Sequence, residues 1–234
     1  SLEPSASVFH YGQAVFEGMK AYKDDNGHVF LFRPQENYKR INKSCERLAM
    51  PAFPEEWFDK ALRTLVDIDS EWIKPGFGNA LYLRPFVIAT TPGVQASPAK
   101  DYLFIIITAP VQSYYSGDVR VKIADYYSRA ANGGFGFAKA AGNYAGQFYP
   151  TQQAAAEGYQ QVMWTDDATH QYLEEAGTMN LWFRLGNTLV TCPTSERILD
   201  GVTRKSIIAV AEKLGIKTEI RPVKVTELIE AAEN

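Results

Sequence analysis

The spacing of hydrophobic and polar residues predicts alternating strands and helices along the chain. Phe58, Leu62, Leu65 and Trp72 recur at helical spacing between two prolines, which predicts an amphipathic helix. Short apolar runs that end at turn residues predict strands at 28–33, 81–90, 102–111, 119–125, 161–165, 179–185, 188–192 and 217–225. Further helices are predicted at 35–48, 143–158 and 202–214, and another from residue 226. Pro150 is expected to kink its helix or to delay its start.

The order of these elements predicts an α+β protein with two lobes. The strand at 102–111 is apolar enough to predict burial on both faces. It is followed by VQSYYSGD at 111–118, whose small and polar residues are typical of a linker. We therefore predict a smaller N-terminal α/β lobe at 1–112, a linker at 113–118 and a larger C-terminal lobe at 119–234.

Composition and charge make this a folded globular chain and remove several classes of partner. The chain has 234 residues, of which 46% are hydrophobic and 22% charged, enough to build a core. Its 24 Lys and Arg residues against 27 Asp and Glu give no basic excess for a nucleic-acid backbone. No apolar run approaches the roughly 20 residues that span a bilayer. We expect no nucleic-acid or membrane partner, no metal site, and a cytoplasmic location.

A single lysine in a glycine-rich stretch is the first candidate for chemistry. Lys139 lies in ANGGFGFAKAAGNYA, residues 131–145, among apolar neighbours. Partial desolvation there would disfavour its ammonium form and make the amine a nucleophile. The alternative is an exposed loop lysine beside glycines that only turn the chain. No complete phosphate-binding loop motif is present.

Two adjacent glutamates in LEEAGTMN, residues 173–180, are the second candidate. Neighbouring side chains on a strand point to opposite faces, so only one of Glu174 and Glu175 can face a site. A buried carboxylate needs a cationic partner, and the protonated ring nitrogen of a cofactor would serve. The alternative is a pair of solvated surface glutamates.

A glycine turn before a helix is the third candidate. In LDGVTRKS, residues 199–206, the backbone N–H groups of Val202 and Thr203 would lie at the positive end of the helix and could bind a phosphate. The alternative is an ordinary helix start with Thr203 or Asp200 near the cap.

An arginine between two aromatic residues is the fourth candidate. In YLRPF, residues 82–86, strand parity places Tyr82, Arg84 and Phe86 on one face. The arginine could hold a carboxylate while the rings line a pocket. The alternative is a purely structural arginine.

Six segments together resemble the branched-chain amino-acid aminotransferases, which belong to the fold-type IV group of pyridoxal-phosphate enzymes. In chain order they are FHYGQAVFEGMKAY (9–22), LFRPQENYKRINKSCERLAMP (31–51), LYLRPF (81–86), SRAANGGFGFAKAAGNYA (128–145), LEEAGTMN (173–180) and ILDGVTRKS (198–206). The first segment favours the branched-chain subfamily over D-amino-acid aminotransferases and aminodeoxychorismate lyases. The resemblance implies a two-lobed fold like that of D-amino-acid aminotransferase, truncated here at both ends, because family chains extend before residue 1 and past residue 234.

The resemblance also implies how this chain would bind pyridoxal 5'-phosphate. Lys139 would be the catalytic Schiff-base lysine, which also shuttles the proton at the substrate α-carbon. Tyr144 would hydrogen-bond the ring hydroxyl oxygen, and Glu175 would keep the pyridine nitrogen protonated. The other cofactor contacts, chiefly to the phosphate, would come from Arg40, Arg129, Thr178 and the backbone N–H groups of Val202 and Thr203.

The implied reaction is reversible, ping-pong transfer of the amino group of Leu, Ile or Val to 2-oxoglutarate by a homodimer. The family positions that line the substrate pocket match Tyr11, Phe16, Tyr82, Arg84, Tyr114 and Thr178. Arg84 would admit the distal carboxylate of 2-oxoglutarate or glutamate. The alternatives are a D-amino-acid aminotransferase, an aminodeoxychorismate lyase, or an inactive fragment without the family's Gly-Thr-Ala turn, which binds the substrate carboxylate.

Overall fold

The computed structural model describes residues 1–112 and 117–233, which form two compact units. The first unit consists of Ser1–Gly117 and Ala138–Gly142, and the second of Asp118–Phe137 and Asn143–Asn234. The lobe boundaries predicted from the sequence stay a prediction. Most of the predicted linker at 113–118 lies outside the described residues.

The first unit contains a five-stranded antiparallel sheet with two long helices. Its strands are β1 (Ala14–Phe16), β2 (Met19–Lys23), β3 (Val29–Leu31), β4 (Ala80–Ala89) and β5 (Tyr102–Val111). Its helices are α1 (Ser7–Tyr11), α2 (Pro34–Arg47) and α3 (Glu55–Ile68), and a 3₁₀ turn covers Ser70–Trp72. Strand β4 pairs with β1, β2 and β5, and β3 pairs with β2. The predicted strands and helices of this region are confirmed, with shifts of a few residues at their ends. The exception is Trp72, which was predicted on the apolar side of the second helix but is exposed in the 3₁₀ turn after α3.

Local sequence explains where the two long helices begin. Pro34 opens α2, where its fixed φ suits a helix and its missing N–H costs nothing. Glu55 and Glu56 lie in the first turn of α3, where their charges favour the positive helix end. Both helices have 14 residues. In the described part of the chain, no helix is long and apolar enough to cross a membrane.

The core of the first unit lies on one face of this sheet. Residues of β4 alternate between buried and half-buried, so Leu83 and Val87 point into the core and Arg84 points away from it. The core cluster also includes Ile41 from α2 and Leu62 from α3. Each fully buried aliphatic side chain contributes about 1.5–3 kcal/mol. The opposite face of β4 carries Tyr82 and Arg84, which are not part of this core.

Strand β5 is not buried on both faces, which corrects the prediction for 102–111. Tyr102, Phe104 and Ile106 pack against the core, whereas Leu103 and Ile107 are 43% and 55% exposed. The physical reason is the face on which they lie: Leu103 pairs with Ile88 and Ile107 with Arg84, on the side of the sheet opposite this core. An apolar run cannot by itself show whether both faces of a strand are covered.

The second unit combines two sheets with four helices among the residues that the structure describes. Strands β6 (Val121–Ile123), β7 (Gln161–Thr165), β8 (Tyr172–Ala176), β9 (Met179–Asn180) and β13 (Val223–Lys224) form one sheet. Strands β10 (Trp182–Leu185), β11 (Thr188–Thr191) and β12 (Thr218–Ile220) form the other. The helices are α4 (Ala141–Ala145), whose first two residues count with the first unit, α5 (Phe148–Ala156), α6 (Val202–Lys213) and α7 (Val225–Glu233).

Three elements predicted as continuous are divided. The helix expected at 143–158 appears as α4 and α5, and Pro150 is the third residue of α5. Amides in the first turn of a helix have no acceptor within it, so proline costs no hydrogen bond there. The strand expected at 217–225 breaks at Arg221 and Pro222, and the one at 179–185 breaks at Leu181.

Candidate active site

Three polar side chains lie on one face of α2 because they are three and four residues apart. Asn37 and Ser44 are buried, and the Arg40 side chain is 12% exposed. Asn37 and Arg40 reach Glu17, just after β1, while Ser44 reaches the backbone of Lys139. Helix α2 therefore holds two groups of the first unit that are far apart in sequence.

Glu17 is a buried carboxylate that binds Arg40. Its side chain is fully buried, and it accepts hydrogen bonds from Arg40 Nε at 2.7 Å and Nη2 at 2.8 Å. Asn37 Nδ2 adds a third hydrogen bond at 2.8 Å. This two-pronged pair fixes the guanidinium predicted to contact the cofactor phosphate. Sequence reasoning missed Glu17, although a lone acid in the apolar segment AVFEGM was a usable signal.

Lys139 is buried, and its backbone is fixed on both sides. Lys139 is only 9% exposed, so it is not the exposed loop lysine of the alternative interpretation. Its N–H donates to Ser44 Oγ at 2.9 Å, and its carbonyl accepts from the Phe16 N–H at 3.0 Å. The next residue, Ala140, forms a β-bridge with Val15. The Nζ atom lies 4.7 Å from the centroid of the Phe16 ring.

Arg84 lies in an aromatic setting on β4. Its Cζ atom is 4.6 Å from the Phe16 ring centroid and 5.2 Å from that of Tyr82. Its Nη2 donates to Tyr82 Oη at 2.7 Å, while its buried Nε has no hydrogen-bond partner among the described residues. A Cβ on Gly18 would lie 2.2 Å from Tyr82 Oη, so any other residue there would displace the Tyr82 ring. The structure thus brings Phe16, Tyr82 and Arg84 together, and their role as substrate-binding residues stays a prediction.

Of the remaining predicted substrate residues, Tyr11 and Thr178 are both exposed. Tyr11 is exposed on α1, and its hydroxyl donates to the Val94 carbonyl at 2.5 Å. Thr178 is exposed in the turn between β8 and β9. Tyr114 lies outside the described residues.

In the second unit, the buried carboxylate of Glu175 is bound by groups from Leu199, Asn180 and Arg129. Its Oε1 accepts from the Leu199 N–H at 2.6 Å and from Asn180 Nδ2 at 3.2 Å. Its Oε2 lies 2.8 Å from Arg129 Nη2, in an ion pair whose side chains are 5% and 3% exposed. Arg129 also donates to the Gly136 carbonyl at 3.0 Å, and its buried Nε has no partner in the described ranges. Glu175, predicted to bind the pyridine nitrogen, and Arg129, predicted to bind the phosphate, therefore form an ion pair with each other.

Glu174 points to the opposite face of β8 and has its own cation. It contacts Arg197 Nε and is 2% exposed, so the two glutamates are not a solvated pair. Burial raises the pKa of the Glu174 carboxyl, even though the hydrogen bond and charge of Arg197 lower it. The two carboxylates thus bind different arginines, Glu174 binding Arg197 and Glu175 binding Arg129.

The turn before α6 is close-packed and begins the helix with a glycine. Gly201 is the N-cap residue, and having no side chain it makes no capping hydrogen bond to the first turn, which contains Val202 and Thr203. A Cβ on Gly201 would lie 1.9 Å from Asn180 Oδ1, so this glycine permits the close approach of Asn180. Asn180 Nδ2 also donates to the Leu199 carbonyl at 2.8 Å. Asn180 therefore connects Glu175 to the turn that begins α6, a role the sequence did not reveal.

Tyr144 lies in α4, five residues after Lys139, and is half-buried. Its carbonyl accepts a hydrogen bond from the Gln147 N–H at 3.1 Å. The helical position agrees with the prediction for this segment, whereas the role of its hydroxyl stays a prediction.

Three features of the chain are typical of one class of protein. Lys139 is buried in a glycine-rich segment, Glu175 is buried two residues before the sequence GTMN, and α6 begins with a glycine. The family model for class IV aminotransferases matches residues 14–234. This chain belongs to the class IV aminotransferase family.

Within that family, the chain is similar to branched-chain aminotransferases. It is 46% identical to branched-chain-amino-acid transaminase 1 of Bacillus subtilis over 99% of this chain and 66% of the relative. It is 43% identical to the branched-chain-amino-acid aminotransferase of Mycolicibacterium smegmatis over 97% of this chain and 64% of the relative. The chain thus spans slightly less than two thirds of the length of these curated relatives.

Solved structures confirm the fold-type IV prediction and the α+β class. The branched-chain amino acid aminotransferase of Escherichia coli matches with a TM-score of 0.77 and 26% identity, over 95% of this chain and 72% of that one. The T.th. branched-chain amino acid aminotransferase complexed with N-(5'-phosphopyridoxyl)-L-glutamate matches with a TM-score of 0.81 and 25% identity, over 97% of this chain and 73% of that one.

Proposed function

We propose that this protein is a branched-chain amino-acid aminotransferase that depends on pyridoxal 5'-phosphate. It would transfer the amino group of Leu, Ile or Val reversibly to 2-oxoglutarate, giving branched-chain 2-oxo acids and glutamate. The observation that carries the proposal is the buried Lys139, whose backbone is held on both sides and whose amine lies over Phe16. The similarity to branched-chain aminotransferases supports it and does not favour the D-amino-acid or lyase alternatives.

The residues present suit pyridoxal phosphate. A buried amine, a buried carboxylate and a helix start without a side-chain cap are the groups that an aldehyde, a pyridine nitrogen and a phosphate require. The buried Arg129 Nε, unpartnered within the described ranges, is a further donor suited to an anion. When bound, the cofactor supplies an electron-accepting ring that stabilises negative charge at the substrate α-carbon.

Each residue of the chain has a distinct proposed task. Lys139 would hold the cofactor covalently and then move a proton at the substrate α-carbon. Glu175 would keep the pyridine nitrogen protonated, and Tyr144 would hydrogen-bond the ring hydroxyl oxygen. The phosphate and its surroundings would be bound by Arg40, Arg129, Thr178 and the N–H groups of Val202 and Thr203.

Arg84 is proposed to let one apolar pocket accept an acidic substrate as well. Phe16 and Tyr82 offer apolar walls for an aliphatic side chain, together with Tyr11 and Tyr114 by family resemblance. While an aliphatic substrate is bound, Arg84 can retain the Tyr82 hydroxyl and two aromatic faces as partners. A distal carboxylate would then bind the guanidinium.

Arg84→Gln is expected to weaken the acidic substrate selectively. The KM for 2-oxoglutarate should rise by about 10- to 100-fold, because a charge-assisted hydrogen bond is lost. The KM for 4-methyl-2-oxopentanoate should stay close to the wild-type value. Steady-state kinetics with both oxo acids measures the difference, and an equal rise for both would contradict this role.

The assembly and location of the protein are also proposed by resemblance. We expect a homodimer located in the cytoplasm. Light scattering at several protein concentrations tests the first point.

Borohydride reduction tests the proposed cofactor directly. The chain is incubated with pyridoxal 5'-phosphate, reduced, digested and mapped by mass spectrometry. A pyridoxyl adduct confined to Lys139 is the expected result, with an unreduced sample as control. Adducts scattered over many lysines, or no adduct, would contradict the proposal.

A further inference from the structure

The backbone N–H of Lys139 is bound by a side chain to which none of the proposed tasks assigns a role. Ser44 Oγ accepts this N–H at 2.9 Å and donates its own proton to the Arg40 carbonyl at 3.0 Å. Ser44 is 1% exposed and Lys139 is 9% exposed. Water therefore has little access to replace this hydrogen bond.

The bond to Arg40 orients the Ser44 hydroxyl. Because its proton is directed at a carbonyl of its own helix, the oxygen presents its lone pairs to Lys139. A serine that bonds back to the preceding turn slightly weakens a helix, and alanine is the better helix former at an interior position. The benefit of a serine at position 44 therefore lies outside α2, at the lysine.

The two anchors act on opposite sides of the same residue. Phe16 holds the Lys139 carbonyl through its N–H at 3.0 Å, and Ser44 holds the Lys139 N–H. Together they restrict the two peptide planes that set the direction of the Cα–Cβ bond. The amine that extends from this bond lies 4.7 Å from the centroid of the Phe16 ring.

We propose that Ser44 is a positioning residue for Lys139, fixing its backbone so that the amine projects to the place where it reacts. The inference deepens the proposed function and rests on it for the identity of the reaction. Ser44 is not a catalytic residue, because it acts through the lysine backbone. It is 95 residues away from Lys139 in sequence.

The test compares three variants of the full chain by two measurements. Ser44→Ala removes the acceptor, and Ser44→Thr keeps the hydroxyl. Asn42→Ala is the matched control, because Asn42 lies on the same helix and hydrogen-bonds both backbone groups of Phe53 at 2.8 and 3.2 Å. The measurements are the rate of pyridoxyl labelling at Lys139, with pyridoxal 5'-phosphate and borohydride, and hydrogen exchange of the Lys139 amide.

Ser44→Ala is expected to slow labelling at Lys139 by about tenfold, and to reduce amide protection similarly, because one buried hydrogen bond is lost. Ser44→Thr should retain both properties near their wild-type values. Asn42→Ala should lower the melting temperature and leave both unchanged. If Ser44→Ala does not fold, Ser44→Cys takes its place, with a smaller slowing expected because sulfur is a weak acceptor.

Two results would overturn the proposal. One is wild-type labelling and amide protection at Lys139 in Ser44→Ala, or in Ser44→Cys where it is used. The other is an equal slowing in Asn42→Ala, which would reduce the effect to general stability. Failure of the proposed function is distinguishable, because the wild-type chain itself would then show no selective adduct at Lys139. Amide exchange alone would decide the positioning role in that case.

Discussion

Lys139→Ala is expected to abolish transamination while the protein stays folded. The loss should be at least about 10⁴-fold, because both the covalent anchor of the cofactor and the group that moves the α-proton are removed. Non-covalent binding of pyridoxal 5'-phosphate should remain measurable, since the residues proposed to bind its phosphate are unchanged. Turnover of leucine with 2-oxoglutarate measures the first effect, and equilibrium dialysis of the cofactor measures the second.

A matched lysine provides the control for this substitution. Lys60 also lies over an aromatic ring, with its Nζ 5.3 Å from the Trp57 centroid, but it is exposed on α3. Lys60→Ala should keep wild-type turnover and the selective adduct at Lys139. Turnover by Lys139→Ala at near the wild-type rate would refute the proposed role of the lysine.

Glu17→Ala is expected to destabilise the first unit strongly. It removes the carboxylate that binds Arg40 at 2.7 and 2.8 Å and leaves a guanidinium that is only 12% exposed without this partner. Breaking a buried ion pair from one side costs about 3–5 kcal/mol of unfolding free energy. Urea unfolding followed by circular dichroism measures the loss. Glu17→Gln should lose less, because the amide oxygen can still accept a hydrogen bond.

An exposed ion pair of equal length separates burial from geometry. Arg63 Nε and Asp59 Oδ2 are also 2.7 Å apart, but their side chains are 60% and 42% exposed on α3. Asp59→Ala should therefore shift the urea midpoint far less than Glu17→Ala, since water replaces the lost partner. Equal shifts for the two variants would show that burial of the Glu17 pair adds nothing.

The first unit shows why some elements were predictable and others were not. Strand β5 begins and ends where the apolar run predicts, because that run is bounded by turn residues on the chain itself. Its exposure was mispredicted, because only the packing of other elements decides which face of a strand is covered. Similarly, the short strands β1 and β2 are defined by long-range pairing with β4 and carry little local signal.

In the candidate site, too, local sequence suggested some residues, while others could be found only from the tertiary structure. Local motifs made Lys139, the pair Glu174 and Glu175, and the start of α6 candidates, because a residue type in its immediate context is enough to suggest its chemistry. The family resemblance then selected Glu175 from the pair. Their partners could not be read from the chain: Ser44 is 95 residues from Lys139, and Glu17 is 23 from Arg40. Such contacts depend on which strands pair and which helix packs on them. Short segments of the sequence thus predict the candidate site residues, while their burial and hydrogen-bond partners depend on contacts between segments that are distant in the chain.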